Sequence, residues 1–265
     1  MLAPQTPIIG TPPAPPFHWK VSLQPIEDRL ALESEWRTLE QRSFASFFLS
    51  WDWVGVLLDN VHGRGAPRVL RIKAGSELKG LALLWSSEQR RQHGLIRSRS
   101  LHLNETGCPE FDRITMEHNG ILTAAGDEKN ALSAAIHHLA TAPNWDECFL
   151  SGLDEALARH VDETMPLRQL WHHRRWTKRY HFVDLDAVRQ SGGDYLDSLS
   201  NTSRYQARRA LKGYAAAGPL QCRRATSAQE ALDWLEDLMR LHQAHWNDRG
   251  QPGAFSSDFT RRFHT

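Results

Sequence analysis

The sequence predicts a mixed α/β protein, and three observations carry that assignment. Short alternating segments such as His18–Leu23 and Val69–Lys73 read as half-buried strands. Segments such as Glu27–Arg42 and Asp127–Ala140 repeat their apolar residues at helical spacing. Their order along the chain is strand, two helices, several strands, helix, strand, which excludes an all-helical or all-strand architecture.

Each element has its own signal. In the first helix Leu30, Trp36 and Leu39 mark one face. Phe44, Phe47 and Phe48 follow, and Ser50 caps a second helix through Trp51, Trp53, Val54, Leu57 and Leu58. Val69–Lys73 and Leu78–Trp85 form a strand pair around the turn Ala74-Gly75-Ser76-Glu77. A basic connector (Arg90, Arg91, Arg97, Arg99) leads to strand-like Leu101–Leu103 and Ile114–Glu117. Asp127 caps the next helix, and Asp146–Leu150 is a buried strand.

The pattern loosens between Asp154 and Pro166, which marks a domain boundary. The expected division is a Pro-rich disordered leader over 1–16, a first unit over 17–160 and a second over 161–265. The second unit opens like the first. Tyr180–Leu185 reads as a strand, Gly193–Ala217 as a long helix, Leu220–Arg224 as a strand and Ser227–Trp246 as a helix. An internal duplication is expected. Phe255, Phe259 and Phe263 repeat at helical spacing beside Thr265 and need a packing partner, as in a chain cut inside a folding unit.

Composition narrows the function classes. Thirty-two Lys and Arg against 31 Asp and Glu give a net charge of +1, which argues against wholesale attraction to nucleic acid. Cys108, Cys148 and Cys222 show no metal spacing and read as reduced thiols. The first 16 residues lack the features of a signal peptide, and no apolar run reaches membrane-spanning length. A cytoplasmic protein without membrane insertion is expected.

Several residues carry potential chemistry. Arg204, Arg208 and Lys212 share one face of the long helix, which reads as a solvated charged face or as a surface for phosphate or sugar acids. His242 and His245 flank Trp246, and either histidine suits a general base; with no third ligand in sight, no metal is expected. The stretch Trp171–His181 alternates basic and aromatic residues, as in a solvated connector leading into the Tyr180 strand with its rings over neighbouring core, or a surface for an anionic acceptor or single-stranded nucleic acid. In the polar loop Asn104–Asp112, Glu105 and Asp112 are placed to orient an amine, and ordinary turn chemistry explains the loop equally well. His137 and His138 read as structural.

Three stretches carry a family resemblance: Glu35–Leu39 with Phe47-Phe48 and Trp51-Asp52-Trp53; Ser198–Ser200 through Arg204, Arg208-Arg209 and Leu211; and Leu241-His242, Trp246, Arg249-Gly250, Pro252–Phe255 and Phe263-His264. In order and spacing they resemble the tandem GNAT-type N-acyltransferases of bacterial polysaccharide and cellulose biosynthesis, relatives of the Fem peptidyltransferases. The resemblance implies a GNAT-like mixed sheet flanked by helices, followed by the first half of a second such unit. It implies an acetyl-CoA or other acyl-CoA donor, a small-molecule or glycan amine acceptor and no metal. Arg204, Arg208, His242 and Trp246 then fall on the acceptor side. An end inside the second unit implies an inactive chain. A non-catalytic scaffold of the same fold, or a Fem-like transferase using aminoacyl-tRNA, are the alternative readings.

GNAT enzymes hold the donor pyrophosphate on a loop of the form Arg/Gln-x-x-Gly-x-Gly/Ala, and Arg249–Ala254 has different intervals. The equivalent place in the first unit, Asn119–Gly126, leads into Asp127-Glu128, whose carboxylates would repel a pyrophosphate.

Overall fold

A computed structural model describes residues 19–63, 65–114, 116–142, 144–164 and 170–265. The Pro-rich leader, His18 and residues 165–169 of the expected boundary lie outside the described residues. Contacts divide the chain into a unit ending at His172 that also includes Leu238–Thr265, and a second unit, His173–Asp237.

The first unit is a six-stranded mixed sheet flanked by helices, with strand order β1-β2-β3-β4-β6. Strand β1 (Trp19–Pro25) is followed by helices α1 (Arg29–Glu40) and α2 (Trp51–Asn60), then by β2 (Arg68–Ala74) and β3 (Glu77–Arg91). Asp28 caps α1 by accepting from Leu30 and Ala31 N–H, and the Ser50 side chain caps α2 by accepting from Trp53 N–H. β1, β2 and β3 pair antiparallel around the Gly75 turn.

The stretch read as a basic connector is strand. β3 continues to Arg91, and β4 (Ile96–Leu103) returns along it, because the alternating burial of Ser98 and Ser100 sustains pairing through the arginines. In the expected strand Ile114–Glu117, Ile114 closes the 3₁₀ turn Asp112–Ile114, Met116 and Glu117 join no strand, and Thr115 lies outside the described residues. The pairing falls instead to β5 (Leu122–Thr123), whose partners on β3 are Leu81 and Gly80.

Helix α3 (Glu128–Thr141) crosses to β6 (Glu147–Phe149), which lies parallel to β4. The loosened stretch after Asp154 is helical, α4 (Glu155–Thr164), and its Val161 packs with Leu132 and Ile136 of α3. Period-two alternation along β3 sorts the two faces. Leu81, Leu83 and Trp85 face α1 and α2, while Ala82 and Leu84 face Ala131, Ala134 and Ala135 of α3.

In the second unit the expected strands Tyr180–Leu185 and Leu220–Arg224 do not form: residues 180–184 and 220–224 are coil, and Leu185 begins a helix. Apolar alternation in these segments finds no pairing partner among the described residues. Helix α5 (Leu185–Ser191) is followed by α6 (Tyr195–Ser198) and α7 (Asn201–Ala215). The expected single helix is broken at Leu199-Ser200, where the Ser200 side chain accepts from Ser203 N–H and starts a new N-terminus. Helix α8 (Ala228–Asn247) follows as expected, and α9 (Asp258–His264) comes after a 3₁₀ turn, Ala254–Ser256.

Phe259 and Phe263 find their partners in the first unit. Phe259 is 1% exposed and meets Phe111 edge-on at 4.8 Å, and Phe263 meets Trp53 at 4.8 Å. Among the described residues no helix is long and apolar enough to cross a membrane.

Candidate functional site

The site with the most concentrated chemistry lies where the edge of β3 changes partner. β4 leaves β3 at the Leu84–Leu103 rung, and β5 rejoins it at Leu81–Leu122. The intervening loop carries the polar residues singled out above.

Asn104, at φ 51°, starts the loop in a left-handed conformation that asparagine tolerates. Its Oδ1 accepts from Leu83 N–H at 2.8 Å, and its own N–H donates to Leu83 O at 2.8 Å. The side chain thus replaces a strand neighbour. Asn119 mirrors it on the return, donating from Nδ2 to Leu103 O at 2.8 Å.

Next along the loop, Asp112 Oδ1 accepts from both the N–H and the hydroxyl of Thr106, each at 2.8 Å. Ordinary turn chemistry therefore accounts for this carboxylate. Glu105 is different. Its Oε2 accepts from Ser151 Oγ, and burial raises its carboxyl pKa, with the nearby Asp112 charge acting the same way and the Ser151 bond opposing. A carboxyl so placed holds its proton to higher pH than an exposed glutamate. Glu105 and Asp112 also line a cavity of about 10 Å³ with Trp53, Leu57, Phe111 and Met116.

His102 lies beside them on β4, stacked on Phe149 with centroids 4.8 Å apart and planes within 6°. Its Nε2 is 2.9 Å from Ser87 Oγ, and burial lowers its pKa, so the neutral ring is favoured. Gly107 passes against this ring at φ +73°, and a methyl there would sit 2.4 Å from Nε2. The cluster of a buried acid, a neutral imidazole and two hydroxyls suits proton acceptance and donation.

Ser87, His102 and Ser151 escaped the sequence reading. His102 stands between Leu101 and Leu103 as any polar strand residue does, and Ser151-Gly152 reads as a plain turn. Only the folded chain brings Ser151 to Glu105 and Ser87 to His102.

The acceptor-side candidates fall on two helices. On α7, Arg204 donates to the carbonyls of Leu196, Asp197 and Leu199 at 2.9–3.1 Å and so holds the α6–α7 corner. Arg208 approaches Asp197 at 3.7 Å and is 61% exposed. On α8, His242 and Trp246 are neighbours with centroids 6.0 Å apart. Phe255 meets the His242 ring edge-on at 5.1 Å, and His242 Nδ1 is buried with no hydrogen-bond partner among the described residues.

The basic aromatic stretch Trp171–His181 is exposed coil with Trp171 fully exposed, as a solvated connector would be, though no strand follows it at Tyr180. His137 bonds Ser133 O at 2.9 Å within its own helix. Among the described residues no group of three His, Cys, Asp or Glu side chains is arranged to hold a metal ion.

At the start of α3 the expected Asp127 cap is replaced. Asp127 makes no side-chain cap and pairs with Lys79 at 3.2 Å, while the Glu128 carboxylate accepts from Gly126 N–H at 3.1 Å. Two carboxylates thus stand at this helix N-terminus, one of them turned back onto the Gly126 N–H.

Comparison with curated proteins and with solved structures finds no match for the chain. The mixed sheet flanked by helices is consistent with a GNAT-like fold, and residues 201–265 match the model of the acetyltransferase (GNAT) domain, a segment that spans α7, α8 and α9 and carries Arg204, Arg208, His242 and Trp246.

Proposed function

We propose that the protein belongs to an acyl-CoA-dependent N-acyltransferase system that acylates an amine on a glycan precursor in bacterial polysaccharide synthesis. The carrying observation is the GNAT acetyltransferase match over residues 201–265. In this chemistry a neutral amine attacks the thioester carbonyl. The C–N bond forms, the C–S bond breaks, the amine loses a proton and the CoA thiol leaves. Positioning and oxyanion stabilisation supply most of the catalysis. Arg208 would meet acidic groups of the acceptor, and His242 with Trp246 would line the acceptor amine.

A tandem arrangement of two GNAT-like units is part of this reading, and a local repeat supports it. In the first unit a 3₁₀ turn (Phe47–Leu49), the cap Ser50 and α2 follow one another. The same order recurs as Ala254–Ser256, the cap Ser257 and α9, with each serine accepting from the N–H three residues on. Within this arrangement the first unit acts as a non-catalytic support. The Glu128 carboxylate on Gly126 N–H does not fit a pyrophosphate at α3, so no donor step is assigned there.

The test is thermal unfolding with saturating acetyl-CoA, together with amine-dependent release of CoA thiol. Binding to the folded form raises the midpoint. An unchanged midpoint with no thiol release from any amine, glycan precursors included, would remove the enzyme reading and leave the scaffold.

A further inference from the structure

We propose that the tip of the β3–β4 hairpin docks on an anionic lipid surface. Beyond its base the ribbon outruns the strands on either side. β2 accompanies β3 only as far as Leu84, and β6 joins β4 only from Ser100. Arg99 still exchanges hydrogen bonds with Asp146, and from the Gln89–Ser98 rung outward the backbones of the two strands pair with each other alone.

The outer rungs are built against their own stability. Arg90 stands directly opposite Arg97, and like charges facing across a strand pair repel. No acidic residue occurs from Gln89 to Ser98. Arg91 reaches back to Glu147 at 2.6 Å and Arg97 to Glu88 at 3.6 Å, while Arg90 has no ion-pair partner among the described residues. Beyond the arginines the turn takes three successive positive φ values, Gln92 49°, His93 57° and Gly94 91°. It then presents Leu95 and Ile96, 87% and 53% exposed. Neither aliphatic side chain has a packing role there, and solvent exposure of both is unfavourable.

An anionic bilayer surface relieves both costs at once. Its phosphates neutralise the facing arginines, and its interfacial zone receives the two aliphatic side chains. Nucleic acid would satisfy the charge alone, since single-strand binding relies on aromatic stacking and the tip is aliphatic. The docking is peripheral, through a turn, and independent of the acyl-transfer reading.

The experiment is vesicle flotation of the whole chain with phosphatidylcholine alone and with about 30 mol% phosphatidylglycerol, a PS-like anionic surface. Binding is expected only to the anionic vesicles. R90Q/R97Q should weaken it about fivefold per arginine. L95S/I96S should weaken it by a similar factor, and salt of about 0.5 M should abolish the arginine-dependent part. Thermal midpoints check folding, and R90Q/R97Q should not fall below the parent because it removes a repulsion. Equal binding to both vesicles, undiminished binding of R90Q/R97Q, or tip-dependent binding to single-stranded RNA without vesicle binding would each overturn the proposal.

Discussion

Asn104 donates from Nδ2 to Asn119 Oδ1 at 2.9 Å, and this buried pair spans the gap where β4 gives way to β5. Asn104 also donates to Gly120 O at 2.7 Å, so both of its side-chain hydrogens are used while its Oδ1 holds Leu83. Asn104→Ala strands Leu83 N–H and Gly120 O, while Asn119 Oδ1 keeps the Gly120 N–H at 2.8 Å, at about 1–3 kcal/mol for each group left unpaired. A loss of at least ~2 kcal/mol in denaturant unfolding is expected. A loss below ~1 kcal/mol would mean that the pair does not hold the gap.

Gly107 tests the approach to His102. Both Gly107 and Gly75 have positive φ, but a methyl at Gly75 meets nothing within 4 Å. Gly75→Ala should therefore cost only the backbone strain, ~1 kcal/mol. Gly107→Ala must also displace His102 from Ser87 and should cost at least ~1 kcal/mol more. Equal unfolding energies for the two variants would contradict the close contact.

Phe259 should behave as a core residue of the first unit. Phe259→Ala is expected to cost ~3–5 kcal/mol, because its ring is enclosed beside Phe111. Leu241→Ala, at a side chain 58% exposed, should stay within ~0.5 kcal/mol. Equal effects of the two would show that α9 does not complete this core.

Glu105 and His102 should bend the stability–pH curve in opposite directions. Burial raises the Glu105 pKa in the folded state. Its stabilising contribution is therefore complete below the unfolded value, about 4.3, and is lost as pH rises through the folded value. His102 is lowered by burial. Its contribution is complete above the unfolded value, about 6.5, and is lost as pH falls toward the folded value. Glu105→Gln should accordingly raise the thermal midpoint more at about pH 7 than at about pH 4. A gain independent of pH would remove the buried carboxyl as its cause.

Arg204 and Arg208 separate structure from binding. Arg204→Ala releases three carbonyls and should speed amide exchange around the α6–α7 corner. Arg208→Ala breaks only an exposed 3.7 Å pair and should leave stability within ~0.5 kcal/mol. A loss of acceptor binding in Arg208→Ala with unchanged exchange would assign that residue to recognition. Matching exchange in both variants would make Arg208 structural as well.

The sequence by itself determined the local elements of the first unit. Trp36 and Leu39 mark the face of α1, Ser50 marks the start of α2, and Gly75 marks the β2–β3 turn, because period, cap and left-handed turn are set by neighbouring residues. It also placed Phe259 and Phe263 on one face, without naming what they would cover. Tertiary structure decided the rest. Tyr180–Leu185 has the alternation of a strand but joins no sheet among the described residues, whereas the arginine-rich Ile96–Leu103 pairs with β3 and becomes a strand. The Glu105–Ser151 and Ser87–His102 contacts join residues 46 and 15 positions apart, and local patterning does not encode such pairs. Their meeting depends on where the chain leaves the sheet, and that is fixed by burial and hydrogen-bond closure around Asn104 and Asn119.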